Sequence, residues 1–280
     1  MVTLPAIAIL GAGSMGRAIL NGLLAPSVQV DGDIRVTNRT ETKAAALRVN
    51  GVRSFATETD PHANLAAVAE ARIVVIAVKP AMVPAILDEI ADGLEPDAIV
   101  VSVAAGVRAS TIEARIPGIC VIRAMPNTPA LIGRAVTGLS AGSRCGEAEL
   151  GLARTLFDTV GTVLEVPESR LDALSAISGS GPAYVFYLVE QLTAAAVGLG
   201  FSEAEAAAMV NGTFSGASEL LVGSGQTPAE LRRQVTSPQG TTERALAVLA
   251  EAELAELFGR AADAAIARAE ELATGASTAQ

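Results

Sequence analysis

The chain has 280 residues, enough for one large domain or two ordinary ones, and half of it is apolar. Aromatic residues make up only 3% and tryptophan is absent, so any core must be aliphatic, built from Ala, Val, Leu and Ile. The formal net charge of −10 argues against a nucleic-acid or anionic-membrane partner, and any bound anion has to be attracted locally.

Residues 2–10 read as a first strand, without the basic flank and cleavage site of a secretory signal. The strand runs into Gly11-Ala-Gly-Ser-Met-Gly16, and an Ala- and Leu-rich helical pattern follows to about Leu24. A second strand, residues 34–38, comes at the expected distance. Strand, glycine turn, helix and second strand form the context in which G-x-G-x-x-G binds a dinucleotide. Gly11 lets the chain turn sharply, Gly13 lets the backbone approach a pyrophosphate, and Gly16 lets helix and strand pack closely. The pyrophosphate is expected on the helix N-terminus, where free N–H groups and the dipole favour an anion. NAD sites place Asp or Glu at the end of the second strand, but this chain has Asn38, Arg39 and Thr40. A carboxylate repels a 2′-phosphate and a guanidinium clamps it, which points to NADP over NAD, unless Arg39 is simply a surface arginine.

Further on, helical and strand patterns alternate. Helices are expected at 41–49, 64–70, 82–91 and from Ser110, with strands at 52–55, 72–78, 98–103 and 119–122. The near-continuous apolar run of 72–78 marks a parallel strand covered on both faces. Residues 135–139 and 162–166 extend or flank the sheet, with a helix between them from about Glu147. The expected fold is α/β: a Rossmann-type doubly wound parallel sheet over 1–166, then an all-α domain over 167–273 and a frayed tail at 274–280.

The helices expected at 182–199 and 202–221 are small and apolar nearly all round, so a partner subunit should cover them, which implies a homodimer. The apolar stretch 181–199 contains Glu190 and Gln191 and reads as a buried or interface helix, not a membrane span. The expected protein is cytoplasmic. Cys120 and Cys145 show neither disulfide-framework nor metal-site spacing, so they read as buried or incidental thiols, and no metal is expected.

Ligands in such folds gather beyond the carboxyl ends of the strands, where three loops carry Ala77-Val-Lys-Pro80, Ala104-Ala-Gly106 and Arg123-Ala-Met-Pro-Asn-Thr-Pro129. The second half adds Ser178-Gly-Ser-Gly-Pro182 and Thr236-Ser-Pro-Gln-Gly-Thr-Thr242, each ahead of a helix. The second of these, rich in hydroxyls, offers free N–H groups to a carboxylate, though both also cap helices in the ordinary way. Strong bases are scarce. His62 is the only histidine and reads as a surface residue, Lys43 lies away from the hydride, and Lys79 is the only other lysine. That suits a substrate already electrophilic, such as a protonated imine, with Thr242 or water donating a weak hydrogen bond to the nitrogen.

These motifs together resemble the pyrroline-5-carboxylate reductases over nearly the whole chain, and the last two at this separation are specific. The resemblance implies reduction of 1-pyrroline-5-carboxylate to L-proline by NADPH or NADH, the last step of proline biosynthesis. It implies that Gly11, Ala12, Gly13, Ser14, Met15, Gly16, Asn38, Arg39, Asn64, Ala77, Val78, Lys79, Pro80, Ala104 and Ala105 hold the cofactor. Ser237, Gly240, Thr241 and Thr242 would hold the substrate, Thr242 as the catalytic group. It also implies a helical dimerisation domain interlocked with its twin, often in a ring of dimers up to a homodecamer, with the active site between cofactor and helical domains. One departure is Gln239, where the family usually has glycine; a positive φ there would strain it, whereas a simple capping role would tolerate it. Competing readings are a hydroxyacid-type dehydrogenase, disfavoured because Tyr184, Tyr187 and Gln191 stand where its lysine is expected, an imine reductase for larger rings, and a non-catalytic NADP sensor.

Overall fold

The computed structural model describes residues 1–273, so the expected tail lies outside the described residues. Contacts divide the chain into two units, residues 1–180 with the described residues from Ala265, and Gly181–Ala264.

The first unit is built on an eight-stranded sheet in the order β3-β2-β1-β4-β5-β6-β7-β8. Its strands are β1 (Val2–Leu10), β2 (Val28–Asn38), β3 (Val52–Ala56), β4 (Ile73–Ile76), β5 (Ile99–Ser102), β6 (Cys120–Met125), β7 (Ala135–Ala141) and β8 (Gly161–Glu165). The helices between them are α1 (Ser14–Leu23), α2 (Glu41–Ala45), α3 (Ala63–Val68), α4 (Val83–Ile90), α5 (Ala109–Glu113) and α6 (Glu147–Asp158). After β8 come α7 (Leu171–Leu174) and a π-helical turn, Ser175–Gly179. The order reverses direction between β1 and β4, the switch point at which a doubly wound sheet opens a crevice at its strand ends. β4 and β5 are buried at every residue, as expected of strands with helices on both faces. One apolar cluster, around Ile9, Ile19, Val75 and Phe157, packs α1 and α6 on one face of the sheet. The other, around Leu10, Val74, Leu87 and Ile112, packs α3, α4 and α5 on the opposite face.

Three details depart from the sequence reading. β2 begins at Val28, six residues before the expected start, and the register of its pairing with β1 shifts between Pro5 and Ile7. Gly32, at φ +121°, absorbs the extra residue, and a Cβ there would lie 2.9 Å from the Cβ of Ala6. α2 is one turn long, because the chain leaves the helix to enter β3, and Arg48 turns back onto Glu41 and the Ser54 carbonyl. β7 is antiparallel to β6, so the sheet is mostly but not wholly parallel.

That antiparallel pairing corrects the reading of the cysteines. Ile122 faces Ala141, so the chain leaving β7 returns over the start of β6, where the Gly142 N–H donates to the Val121 carbonyl at 2.7 Å. Cys120 and Cys145, 25 residues apart in sequence, come to a Cα–Cα distance of 5.0 Å and form a disulfide.

The second unit is helical: α8 (Gly181–Gly198), α9 (Glu203–Ser224), α10 (Pro228–Gln234), α11 (Thr241–Ala250) and α12 (Leu254–Ala273), the last continuing into the residues grouped with the sheet. α9 and α10 each open on a capping box, Ser202 with Glu205 and Thr227 with Glu230. α10 was not expected from the sequence, being one charged helical stretch, Pro-Ala-Glu-Leu-Arg-Arg-Gln, without an apolar stripe. No residue of α8 is buried within the chain, and Phe186 and Tyr187 are 67% and 61% exposed. Among the described residues no helix is long and apolar enough to cross a membrane.

The disulfide is directly testable. A bridge closing a loop of this length is worth about 3 kcal/mol through the unfolded chain, so the Cys120→Ser, Cys145→Ser double variant should melt at a lower temperature than the oxidised chain. Thiol titration of the untreated, denatured protein should find no free thiol, and two reactive thiols would remove the bridge.

Candidate functional site

The turn from β1 into α1 makes a cradle at the switch point. Gly11 sits at φ +86°, a conformation that side chains rarely adopt, and its N–H donates to Thr37 Oγ1 at 3.2 Å. The next N–H, of Ala12, donates to the Thr37 carbonyl at 2.8 Å. A Cβ on Gly11 would lie 2.5 Å from Val78 Cγ1, and one on Gly16 would lie 2.7 Å from the Gly11 carbonyl oxygen. These two glycines are required by the fold. Gly13 differs: nothing lies within 4 Å of where its Cβ would be, and its φ of −73° suits any residue. α1 starts immediately after it with no side-chain cap and no acidic residue in the first turn. Its free N–H groups and positive dipole end are left for a ligand.

A cavity of about 460 Å³ runs from this turn to the ends of β2 and β4. Of the expected cofactor residues, Gly11, Gly13, Asn38, Arg39, Asn64, Ala77, Val78 and Lys79 line it. A smaller cavity of about 220 Å³ lies alongside, with Ala12, Gly13, Ser14 and Asn38 in its wall. Asn38 is only 6% exposed, and its Nδ2 is buried without a hydrogen-bond partner. An orphaned buried donor costs stability unless an acceptor meets it, and a dinucleotide ribose or phosphate supplies one. Asn64, on α3, donates from Nδ2 to Glu89 Oε2 on α4 at 2.9 Å. A carboxylate only accepts, so this bond turns the amide and leaves Oδ1 as the free end. The residues present therefore fit a dinucleotide.

Met15, Gly16, Pro80, Ala104 and Ala105 line neither cavity. Met15 packs on the core, Gly16 closes the helix against the strand, and Ala104 is buried with its N–H donating to Ser102 Oγ at 3.3 Å. Pro80 opens a 3₁₀ turn and Ala105 is exposed after β5. The sequence reading placed Lys43 away from the hydride and gave it no part in cofactor binding; it lines both cavities, beside Gly13 and Asn38. Nearby, Arg48 hydrogen-bonds Glu41 and holds that carboxyl below the usual carboxylate range. His62 is exposed ahead of α3, as expected.

The stiff loop after β6 is braced from within. Asn127 accepts from the Val136 N–H and donates from Nδ2 to the Ser178 carbonyl, both at 2.9 Å, tying the Ser-Gly-Ser-Gly-Pro segment to β7. Arg123, 6% exposed, pairs with Glu168 Oε1 at 2.9 Å, which also accepts from the Ala109 N–H at 2.7 Å. The sequence reading did not single out Glu168, because an acid in Pro-Glu-Ser-Arg carries no local signal of a partner 45 residues away.

In the helical unit, Ser237, Gly240, Thr241 and Thr242 come together at the start of α11. Gly240 is the N-cap without a side-chain bond, and its N–H donates to the Ser237 carbonyl at 3.0 Å. Gln239 takes φ +62°, so the position does use the left-handed region, and its N–H donates to Glu243 Oε2 at 2.7 Å. The positive φ selects the first branch of the earlier alternative: Gln239 is strained. A wider groove of about 810 Å³ lies between α10 and α11, and none of these four residues lines it.

Comparison with known proteins matches residues 168–272 to the family model for pyrroline-5-carboxylate reductase dimerisation, and 6–106 to that for NADP oxidoreductase, coenzyme F420-dependent. A pyrroline-5-carboxylate reductase of Corynebacterium melassecola is 39% identical, over 95% of this chain and 98% of the relative. One of Pseudomonas aeruginosa is 38% identical, over 96% and 97%. The structure of a pyrroline-5-carboxylate reductase from Coxiella burnetii aligns with a TM-score of 0.87 at 36% identity, over 95% and 97%. A Plasmodium falciparum pyrroline carboxylate reductase solved with NADP bound shares the fold, with a TM-score of 0.80 at 23% identity over 96% and 98%.

Gly13 allows folding and binding to be separated. Gly13→Ala should leave the melting temperature unchanged and weaken dinucleotide binding about tenfold or more, since a methyl group enters the pyrophosphate space. Calorimetric titration with NADPH checks this, and undiminished affinity would move the pyrophosphate elsewhere.

Proposed function

The chain belongs to the pyrroline-5-carboxylate reductase family, and on that premise we propose that it reduces 1-pyrroline-5-carboxylate to L-proline with a nicotinamide dinucleotide. The observation that carries the reading is that the likeness runs through both units, over 95% of the chain at 39% identity. It is an NAD(P)H-dependent oxidoreductase, and its helical unit is a self-association domain.

The bound nicotinamide supplies the hydride. The chain's own part is binding and orientation. Backbone at Gly13 and the α1 N-terminus hold the pyrophosphate, Asn38 and Arg39 hold the adenosine end, and the Asn64 Oδ1 accepts from a ribose hydroxyl. Ala77 to Pro80 and Ala104-Ala105 flank the rest of the cofactor. Ser237, Gly240 and Thr241 hold the substrate carboxylate by hydroxyl and N–H groups. The Thr242 hydroxyl donates to the ring nitrogen, which needs no strong acid because a protonated imine already accepts hydride. The scarcity of histidine and lysine supports this division of labour.

The finer readings follow. NADPH is preferred over NADH, supported by Arg39 and the missing acid after β2. The chain forms an obligate dimer, supported by the uncovered apolar side chains of α8 and α9, with a ring of dimers as the larger assembly. Residues 1–166 bind the cofactor, and 167–273 dimerise and bind substrate. The enzyme works in the cytoplasm and binds no nucleic acid, in keeping with its charge of −10. In that compartment the Cys120–Cys145 bridge has to resist reduction by the thiol pool.

NADPH oxidation on addition of 1-pyrroline-5-carboxylate, with proline as product, tests the reaction; NADPH binding without turnover would leave a sensor instead. Thr242→Ala should lower kcat about tenfold to a hundredfold, the worth of one hydrogen bond to a charged centre. Lower affinity with intact turnover would end its donor role. Gln239→Gly should raise the melting temperature by relieving about 1 kcal/mol of left-handed strain, and a lower midpoint would show that the strain is absent.

A further inference from the structure

We propose that Glu168 is a positioning residue for hydride transfer, fixing through Arg123 and the Ala109 N–H the two loops that follow β5 and β6. The inference rests on the proposed reaction, in which the reacting end of the cofactor lies beyond the carboxyl ends of those strands.

β5 and β6 run side by side, with Ser102 opposite Arg123. The chain leaving β5 passes through Ala104-Ala105 to α5, and the chain leaving β6 passes through Pro126 to Pro129. The first loop is held at its start by the Val103 N–H, which donates to the Ile76 carbonyl at 3.1 Å. At its far end the Ala109 N–H donates to Glu168 Oε1 at 2.7 Å. The same oxygen accepts from Arg123 Nη1 at 2.9 Å, and Asp172 Oδ1 stands 3.9 Å from Nη2. One carboxylate oxygen thus ties both loops to the segment after β8, across separations of 59 and 45 residues. Asn127 adds a second tie of the same kind, from the loop after β6 to the Ser178 carbonyl in the π-helical turn.

Stability alone does not account for this arrangement. A buried guanidinium gains little net from its carboxylate, because desolvation offsets the attraction. α5 is one turn long and Arg108 at its N-cap makes no side-chain bond, so a cap brought from so far along the chain orders a loop more than it extends a helix. A carboxylate shared between two loops fixes their separation, and a misplacement of about 1 Å at a reacting centre costs up to about a hundredfold in rate. The cradle is independent of this clamp, since its ties run from Gly11 and Ala12 to Thr37, on the other side of the switch point. Cofactor affinity and turnover therefore respond differently to Glu168.

The test uses the intact chain with Glu168→Asp, which keeps the charge and shortens the reach, and Glu168→Gln, which keeps the reach and loses the charge. Arg115→Ala, which removes an exposed pair with Asp88, is the control. Amide hydrogen exchange is read on the cofactor-free protein, NADPH affinity by calorimetry, and kcat with 1-pyrroline-5-carboxylate. In Glu168→Asp the Ala109 amide should exchange about tenfold faster, the worth of one hydrogen bond to a charged group. Its kcat should fall about tenfold or more, while NADPH affinity changes less than about twofold. Glu168→Gln should keep kcat within about threefold, because its amide oxygen still accepts both bonds, and Arg115→Ala should match the unsubstituted enzyme. An unchanged kcat in Glu168→Asp would overturn the proposal even if exchange rises, because the bond would then be structural only. Parallel losses of NADPH affinity and kcat would overturn it too, placing the effect at the cradle. So would a Gln variant as slow as the Asp variant, which makes charge and not reach the cause. If the unsubstituted enzyme does not reduce the imine, the reaction reading fails and the proposal with it; turnover there confines every other failure to Glu168.

Discussion

The close approach of the β1–α1 turn to the end of β4 is the constraint on which the rest depends. The Cα of Gly11 faces Val78 and the Ala77 carbonyl with no room for a side chain, and Gly16 faces the Gly11 carbonyl in the same way. The Gly11 and Ala12 N–H groups, donating to the Thr37 hydroxyl and carbonyl, hold the turn from the other side, and the Ala77 N–H donates to the Leu10 carbonyl at 2.9 Å. With strand, helix and neighbouring strand pressed together, the α1 N-terminus has one direction in which to point, into the crevice. A binding site preorganised by backbone contacts needs few side chains, which is how a chain poor in aromatics and lysines can hold a large cofactor.

Electrostatics work against that site globally and for it locally. The chain carries ten more acids than bases, yet many arginines of the sheet unit are consumed by carboxylates in structural pairs: Arg72 with Asp97, Arg115 with Asp88, Arg123 with Glu168. The cations left uncompensated include those around the cradle. Such pairs add little stability at the surface, so their effect is on distribution: they remove the acids that would otherwise oppose an anionic ligand. Arg123 is buried, as is Arg35, and is bonded so that β6, the segment after β8 and the start of α5 form one block beneath the loops.

The helical unit solves a different problem. α8 and α9 expose Phe186, Tyr187, Leu220 and Val222, with Val222 at 77%. Apolar surface of this kind on adjacent helices belongs to an interface, and the dimerisation family matched over these residues supplies the occupant, a second copy. Self-association is therefore built into the packing.

The sequence by itself determined the order of strands and helices as far as β8, the dinucleotide turn, the change from α/β to all-α and the apolar character of α8 and α9. Those features are local: a period of 2 or 3.6 residues, a glycine spacing, a cap. It also marked Asn38 and Arg39, because a Rossmann-type sheet ties the end of its second strand to the ribose. Only the tertiary structure decided what depends on return paths through space. The antiparallel β7 brings Cys145 over Cys120, Glu168 reaches Arg123, Glu89 turns the Asn64 amide, and the short α2 leaves Lys43 in the wall of the cavities beside the glycine turn. Gln239 belongs with these, since its φ of +62° is set by how the turn enters α11 and not by the residue that occupies it. Periodicity records which face of an element is buried, whereas a contact between distant residues is fixed by register and crossover, which no short stretch of sequence encodes.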